Sequence, residues 1–136
     1  MTSFNNDFRY DLEFGQIRER RVRHIIEDSK MEVKTDLQWW KWGNLAVEFE
    51  CRGKPSGLAT TQAKNWWVML EKDGRHVCSL VFPVDELRGI IKALDEQEKI
   101  RWTMGGDDNM SRLALVPLSL LFDGNLTYDH QPVMSL

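Results

Sequence analysis

Apolar residues recur along this chain in two periods, and each change of period marks a new element. In "DLEFGQIRERRVRHIIED", Phe14, Ile17, Val22, Ile25 and Ile26 fall mostly at helical spacing, which predicts a first helix behind a frayed polar start. "KMEVKTD" and "NLAVEFEC" then alternate apolar with polar residues, as half-buried strands do. The connection "LQWWKWG" joins them, and the Gly and Pro of "RGKPSG" mark a loop. In "LATTQAKN" the pair Thr60 and Thr61 predicts the cap of a short helix. Asp73 and Gly74 divide "WWVMLEKDGRHVCSLVFP" into two β-rich runs, a hairpin signature. Leu87, Ile90, Ile91 and Leu94 of "VDELRGIIKALDEQEK" predict a second long helix, and "IRWTM" and "SRLALVP" follow on either side of a "GGDDN" loop. With no repeat and no linker, the expected architecture is one α+β domain over residues 1–136, with 1–10 flexible.

Composition narrows the class of protein without naming it. Hydrophobic residues at 42% and charged residues at 29% are ordinary for a globular domain. No apolar run reaches the roughly 18 residues of a membrane span, and "MTSFNNDFRYDLEFG" lacks the basic start and apolar centre of a signal peptide. The expectation is a soluble, cytoplasmic protein with no membrane partner. Cys51 and Cys78 lie in apolar, strand-like runs, which suits reduced core thiols. His24, His76 and His130 show no paired spacing with the cysteines, so zinc chemistry has no support. No Gly-x-Ser-x-Gly elbow occurs, and "GGDDN" lacks a P-loop lysine; Asp107 and Asp108 fit a turn helped by Gly105 and Gly106. A net charge of −3 gives no global attraction to nucleic acid, which leaves room only for a local basic surface.

The acidic residues carry the chemistry. On the first strand Glu32, Lys34 and Asp36 share a face opposite Met31, Val33 and Thr35; on the second, Glu48 and Glu50 oppose Val47, Phe49 and Cys51. If these strands are neighbours, four carboxylates and one ammonium share a surface. A solvated sheet face is the plain explanation. Like charges set opposite one another are destabilising, however, and a cation resolves the repulsion. Magnesium binds through one or two carboxylates with water and a substrate phosphate, and in such a site it activates water for phosphodiester hydrolysis.

These residues resemble the PD-(D/E)XK nuclease superfamily, in particular its small phage-encoded, Holliday-junction-resolvase-like members. "GQIRER" looks like the Gly-x-x-x-Glu-Arg pattern of the first helix, with Glu19 as the helix-borne carboxylate. Asp36 matches the lone Asp at a strand end, and Glu48-Phe49-Glu50 takes the (D/E)-x-K position. "GNLAVEFECRGKPSGLATTQAKNWW" and "GGDDNMSRLALVP" look like the phage-type loops and strands, so the likeness spans residues 13–117. It implies a restriction-endonuclease-like core, a mixed β-sheet flanked by helices. The implied activity is a Mg2+- or Mn2+-dependent endonuclease acting on DNA, in a phage or prophage protein working inside the host cell. Asp36, Glu48 and Glu50 are then the metal ligands. The sequence departs from the family where Glu50 replaces the usual lysine, and Lys34 or Lys64 is the candidate substitute. A rival register takes Glu32 and Lys34 as the E-x-K unit with Asp28 upstream.

Around these acids, Arg52, Lys54 and Ser56 are candidate phosphate contacts, with Thr60, Thr61 and Lys64 at the expected helix start. Trp39, Trp40 and Trp42 are candidates to stack on bases, or else cover a core edge or a dimer interface; Trp66 and Trp67 read as core. Paired cuts in branched DNA leave a homodimer open. A protein that grips DNA or a host factor without hydrolysis is the alternative function, and a merely structural module is the third.

Overall fold

The structure is a computed structural model that describes residues 4–27 and 30–127. Its elements follow in the order α1 (Phe4–Glu27), β1 (Met31–Asp36), α2 (Trp39–Trp42), β2 (Asn44–Cys51), β3 (Lys54–Pro55), β4 (Asn65–Lys72), β5 (Arg75–Pro83), α3 (Val84–Glu96), β6 (Arg101–Gly105), β7 (Ser111–Pro117) and α4 (Leu118–Leu121). Short 3-10 turns at Gly57–Ala59 and Asp107–Asn109 complete them. The α+β class is thus as expected. Helix α1 begins at Phe4, earlier than its apolar spacing suggests, because nothing before Gly15 in the sequence is a helix breaker.

The strands form two sheets rather than one. The first is mixed, in the order β1-β4-β5, with β1 parallel to β4 and β4 antiparallel to β5. The second is antiparallel, in the order β3-β2-β7-β6. At the tip of β4–β5, Asp73 and Gly74 both take left-handed φ, of 52° and 73°, as a tight primed turn requires. The condition for a shared acidic surface, β1 beside β2, is not met: β1 pairs with β4, and β2 with β3 and β7.

One core joins both sheets. It takes Leu45 and Val47 from β2, Ala114 and Val116 from β7, Trp66, Val68 and Leu70 from β4, and Leu58 from the first 3-10 turn. Helix α3 closes it with Val84, Leu87, Ile90, Ile91 and Leu94, the spacing of one helical face. Pro83 offers that helix no side-chain cap. Instead the Val84 N–H donates to the Lys64 carbonyl at 2.8 Å, and Asp85 and Glu86 place negative charge in the first turn. No helix among the described residues is long and apolar enough to cross a membrane. The cysteines are both free; Cys51 is half-buried, but Cys78 is exposed, because β5 lies at a sheet edge and runs out beyond the core.

Leu87 is fully enclosed, whereas Val33 is half exposed. Leu87→Ala is therefore expected to lower unfolding free energy by about 2–5 kcal/mol, and Val33→Ala by less than about 0.5 kcal/mol. Urea denaturation of the two variants measures both; equal losses would show that α3 is not the lid of the core.

Candidate functional site

The polar face of β1 is turned toward the core. In the parallel ladder Glu32 pairs with Trp66, Lys34 with Val68 and Asp36 with Leu70, so the charged residues share the side of the sheet that carries buried apolar groups. Lys34 Nζ lies 5.5 Å from the centre of the Trp66 ring, on that same side. Val33 is left on the outside. The period of the sequence separates the two faces correctly, but it is the acidic face that points inward.

Each of these carboxylates is engaged. Asp36 accepts the Gln38 N–H at 2.9 Å and the Ala46 N–H at 3.1 Å, and the second bond ties the end of β1 to β2. Glu32 accepts the Thr61 hydroxyl at 2.5 Å and the Lys34 ammonium at 2.9 Å. The hydroxyl, and after it the ammonium, hold the Glu32 carboxyl below the usual glutamate range, against an opposing effect of partial burial.

Glu48 and Glu50 do not share a face. Glu48 pairs with Leu113 and Glu50 with Arg112, successive residues of β7 that point to opposite sides, and Phe49 between them is accommodated by a bulge. Glu48 accepts hydroxyl bonds from Ser56 at 3.1 Å and Ser111 at 2.5 Å. Glu50 instead lies 3.7 Å from Arg112, whose guanidinium stacks 4.0 Å from the Trp102 ring centre. The expected set of Asp36, Glu48 and Glu50 on one surface is therefore corrected: the bulge removes Glu50. Glu19 is exposed on α1, and among the described residues no hydrogen bond or ion pair links it to Asp36, Glu48 or Glu50. Asp28, the acid of the rival register, lies outside the described residues, as does His130.

The segment expected to bind phosphate is itself held by acids. Arg52 and Gly53 form a tight turn with φ of 54° and 77°, leaving Arg52 and Lys54 exposed. Arg52 lies 3.8 Å from Asp108. Ser56 at one end bonds Glu48 and Thr61 at the other bonds Glu32, while Leu58 between them is buried. Arg88 of α3 donates to the carbonyls of Leu58 at 3.0 Å and Thr61 at 3.2 Å. Thr60 and Thr61 do not start a helix. The Thr61 hydroxyl accepts the Ala63 N–H, and the Lys64 and Asn65 N–H groups donate to the Lys30 carbonyl, which draws the chain straight into β4. Lys64 is thus exposed on an extended segment rather than on a helix.

The tryptophans divide. Trp39 packs against the core and its indole N–H donates to the Glu71 carbonyl at 2.9 Å, so it is a structural residue. Trp40 and Trp42 are exposed. Sequence reasoning missed Ser111, whose hydroxyl completes the hold on Glu48; a lone serine at a strand start carries no pattern that would find it.

A divalent cation was expected on three carboxylates, and among the described residues no group of three or more metal-ligating side chains is assembled. The chemistry of Asp36 and Glu48 is that of hard-cation ligands. Asp36 and Glu48 come from strands tied together, each carboxylate keeps lone pairs beyond the two bonds it accepts, and magnesium requires only one or two carboxylates. Comparison with protein-family models, with curated proteins and with solved structures finds no match to this chain.

Two outcomes follow from this geometry. A folded-state carboxyl held low stabilises the protein above the unfolded glutamate range and loses that contribution as pH falls through the folded value. Thr61→Val should thus flatten the acid limb of the stability profile, read by chemical denaturation from neutral to acidic pH, and an unchanged limb would remove Thr61 as the cause. At Gly57, φ is 55° and an added Cβ would meet the Glu48 carbonyl oxygen and lie 2.8 Å from its Cβ. Gly57→Ala should cost more than about 1–2 kcal/mol in the same assay, beyond the left-handed strain alone.

Proposed function

We propose that this chain is a metal-dependent endonuclease that hydrolyses DNA phosphodiester bonds, with Asp36 and Glu48 holding Mg2+ or Mn2+. The observation that carries the reading is the inward polar face of β1. Burial alone favours Val33 on the side of the core, yet Val33 faces out, and Glu32, Lys34 and Asp36 take the side that carries buried Trp66, Val68 and Leu70, with Lys34 still reaching solvent. Such a break with local preference is characteristic of functional positions. The Asp36–Ala46 bond then brings that face to the strand of Glu48. A bound divalent cation supplies charge neutralisation and an activated water in sites of this kind. Lys34, on the face of Asp36, is the ammonium suited to the role of the missing family lysine, and exposed Arg52 and Lys54 are suited to grip backbone phosphates. Work on DNA would place the protein in the host cytoplasm, and paired cuts across a branch would require two copies.

A second reading has its own support. Both oxygens of Asp36 and both of Glu48 already accept hydrogen bonds, which suits a protein that binds DNA or a host protein without cutting it. Cleavage separates the two. On labelled linear, flapped and four-way-junction DNA, cutting should need magnesium or manganese, stop with EDTA, and fall at least about a hundredfold in Asp36→Asn and Glu48→Gln. Glu50→Gln should stay within about threefold of the native rate, since its carboxylate faces away. No cutting on any substrate by folded protein would favour the binding reading.

A further inference from the structure

We infer that α2 is a stacking platform for unpaired bases, built from Trp40 and Trp42 with Lys41 and Lys72. This inference deepens the nuclease reading by naming its substrate class, DNA with a single-stranded segment. Within the single turn of α2, Trp39 points to the core, which places Trp40 and Trp42 on the two flanks and Lys41 outward. Trp40 is 46% and Trp42 64% exposed, a large apolar surface for a four-residue helix. The indole donors are already used. Trp40 Nε1–H donates to the Leu37 carbonyl at 3.1 Å and Trp42 Nε1–H to the Gln38 side-chain oxygen at 3.3 Å. These bonds hold the N–H edge of each indole, and the rest of each ring keeps its exposed area.

Each ring also carries a cation. Lys72 Nζ lies 4.8 Å from the Trp40 ring centre and Lys41 Nζ 5.0 Å from that of Trp42. An ammonium over one face of an aromatic ring matches a phosphate, and the ring's other face is the surface on which a base would stack, the two parts of a nucleotide. A folded protein partner would use the apolar area but has no need of a cation at each ring. Of the acids nearby in sequence, Asp36 accepts the Gln38 and Ala46 N–H groups, and Glu71, next to Lys72, has its carboxylate 3.8 Å from His76, while Asp73 follows Lys72 in the hairpin turn. Because α2 follows Asp36 within three residues, bases stacked there would belong to the strand whose phosphate lies at Asp36.

The test is binding in EDTA, where cleavage plays no part. Fluorescein-labelled oligothymidylate of about 16 nucleotides should bind more tightly than a duplex of equal length, and quench tryptophan emission. Trp40→Ala with Trp42→Ala should weaken binding at least about fivefold, while Trp40→Phe with Trp42→Phe should restore most of it, because stacking needs a ring and not an indole. Lys41→Ala with Lys72→Ala should lower the slope of log affinity against log salt by about 1.4, two single-strand phosphate contacts. Unchanged affinity in the double alanine variant, or a preference for duplex, would overturn the inference. So would alanine variants that instead lose self-association in sedimentation, which would assign the rings to a second copy. Single-strand binding through the rings by a protein that cuts nothing would sink the nuclease reading alone.

Discussion

Two carboxylates gripping the two ends of one segment hold this fold together. Glu48 belongs to the antiparallel sheet and Glu32 to the mixed one, and the segment from Ser56 to Thr61 runs between them. With both ends bonded, Leu58 is driven into the core that the sheets share, and Arg88 fastens the same segment to α3. The hydroxyl–carboxylate bonds are charge-assisted, which makes them stronger than neutral ones. Removing an acid would therefore loosen a sheet-to-sheet joint as well as remove a charge.

The arrangement explains why carboxylates can lie beside a core at all. These acids are half-buried, and an ionised group that loses part of its hydration is costly unless hydrogen bonds replace it. Asp36 receives two backbone N–H groups, Glu32 a hydroxyl and an ammonium, and Glu48 two hydroxyls. No buried side-chain nitrogen or oxygen among the described residues lacks a partner. The same bonds that make the acids tolerable also set their directions, which is what a site for a cation and a phosphate requires.

Local features were legible in the sequence and long-range ones were not. The Asp73-Gly74 turn needs left-handed φ at both positions, a demand few residue pairs meet, so the hairpin could be read directly. Helix α3 was equally plain, since Leu87, Ile90, Ile91 and Leu94 repeat with its period. The alternation in "MEVKTD" separates two faces but does not say which one meets the core; that is decided by pairing with β4, far along the chain. Likewise the bulge at Phe49 leaves the alternating pattern of "VEFEC" untouched while turning Glu50 away from Glu48. Of the candidate site, Asp36 is bonded to the Gln38 and Ala46 N–H groups, Glu48 to Ser56 and Ser111, and Lys34 to Glu32. Ser56 and Thr61, expected at phosphate, instead anchor Glu48 and Glu32, and Trp39 is a core residue.

The ladder between β2 and β7 has a bearing on how the chain reaches this state. It joins residues 44–51 to residues 111–117, and the whole of β4, β5 and α3 lies inside the stretch it closes. Closing so long a stretch costs entropy before any ladder bond is gained, whereas the β4–β5 hairpin and the helix directly after it are local. The Val84–Lys64 bond fixes where that helix starts relative to β4. The hairpin and α3 are thus the local contacts of the fold, and the β2–β7 ladder is its long-range one. Glu48 lies on that ladder, so its position depends on the pairing with the greatest cost in loop entropy.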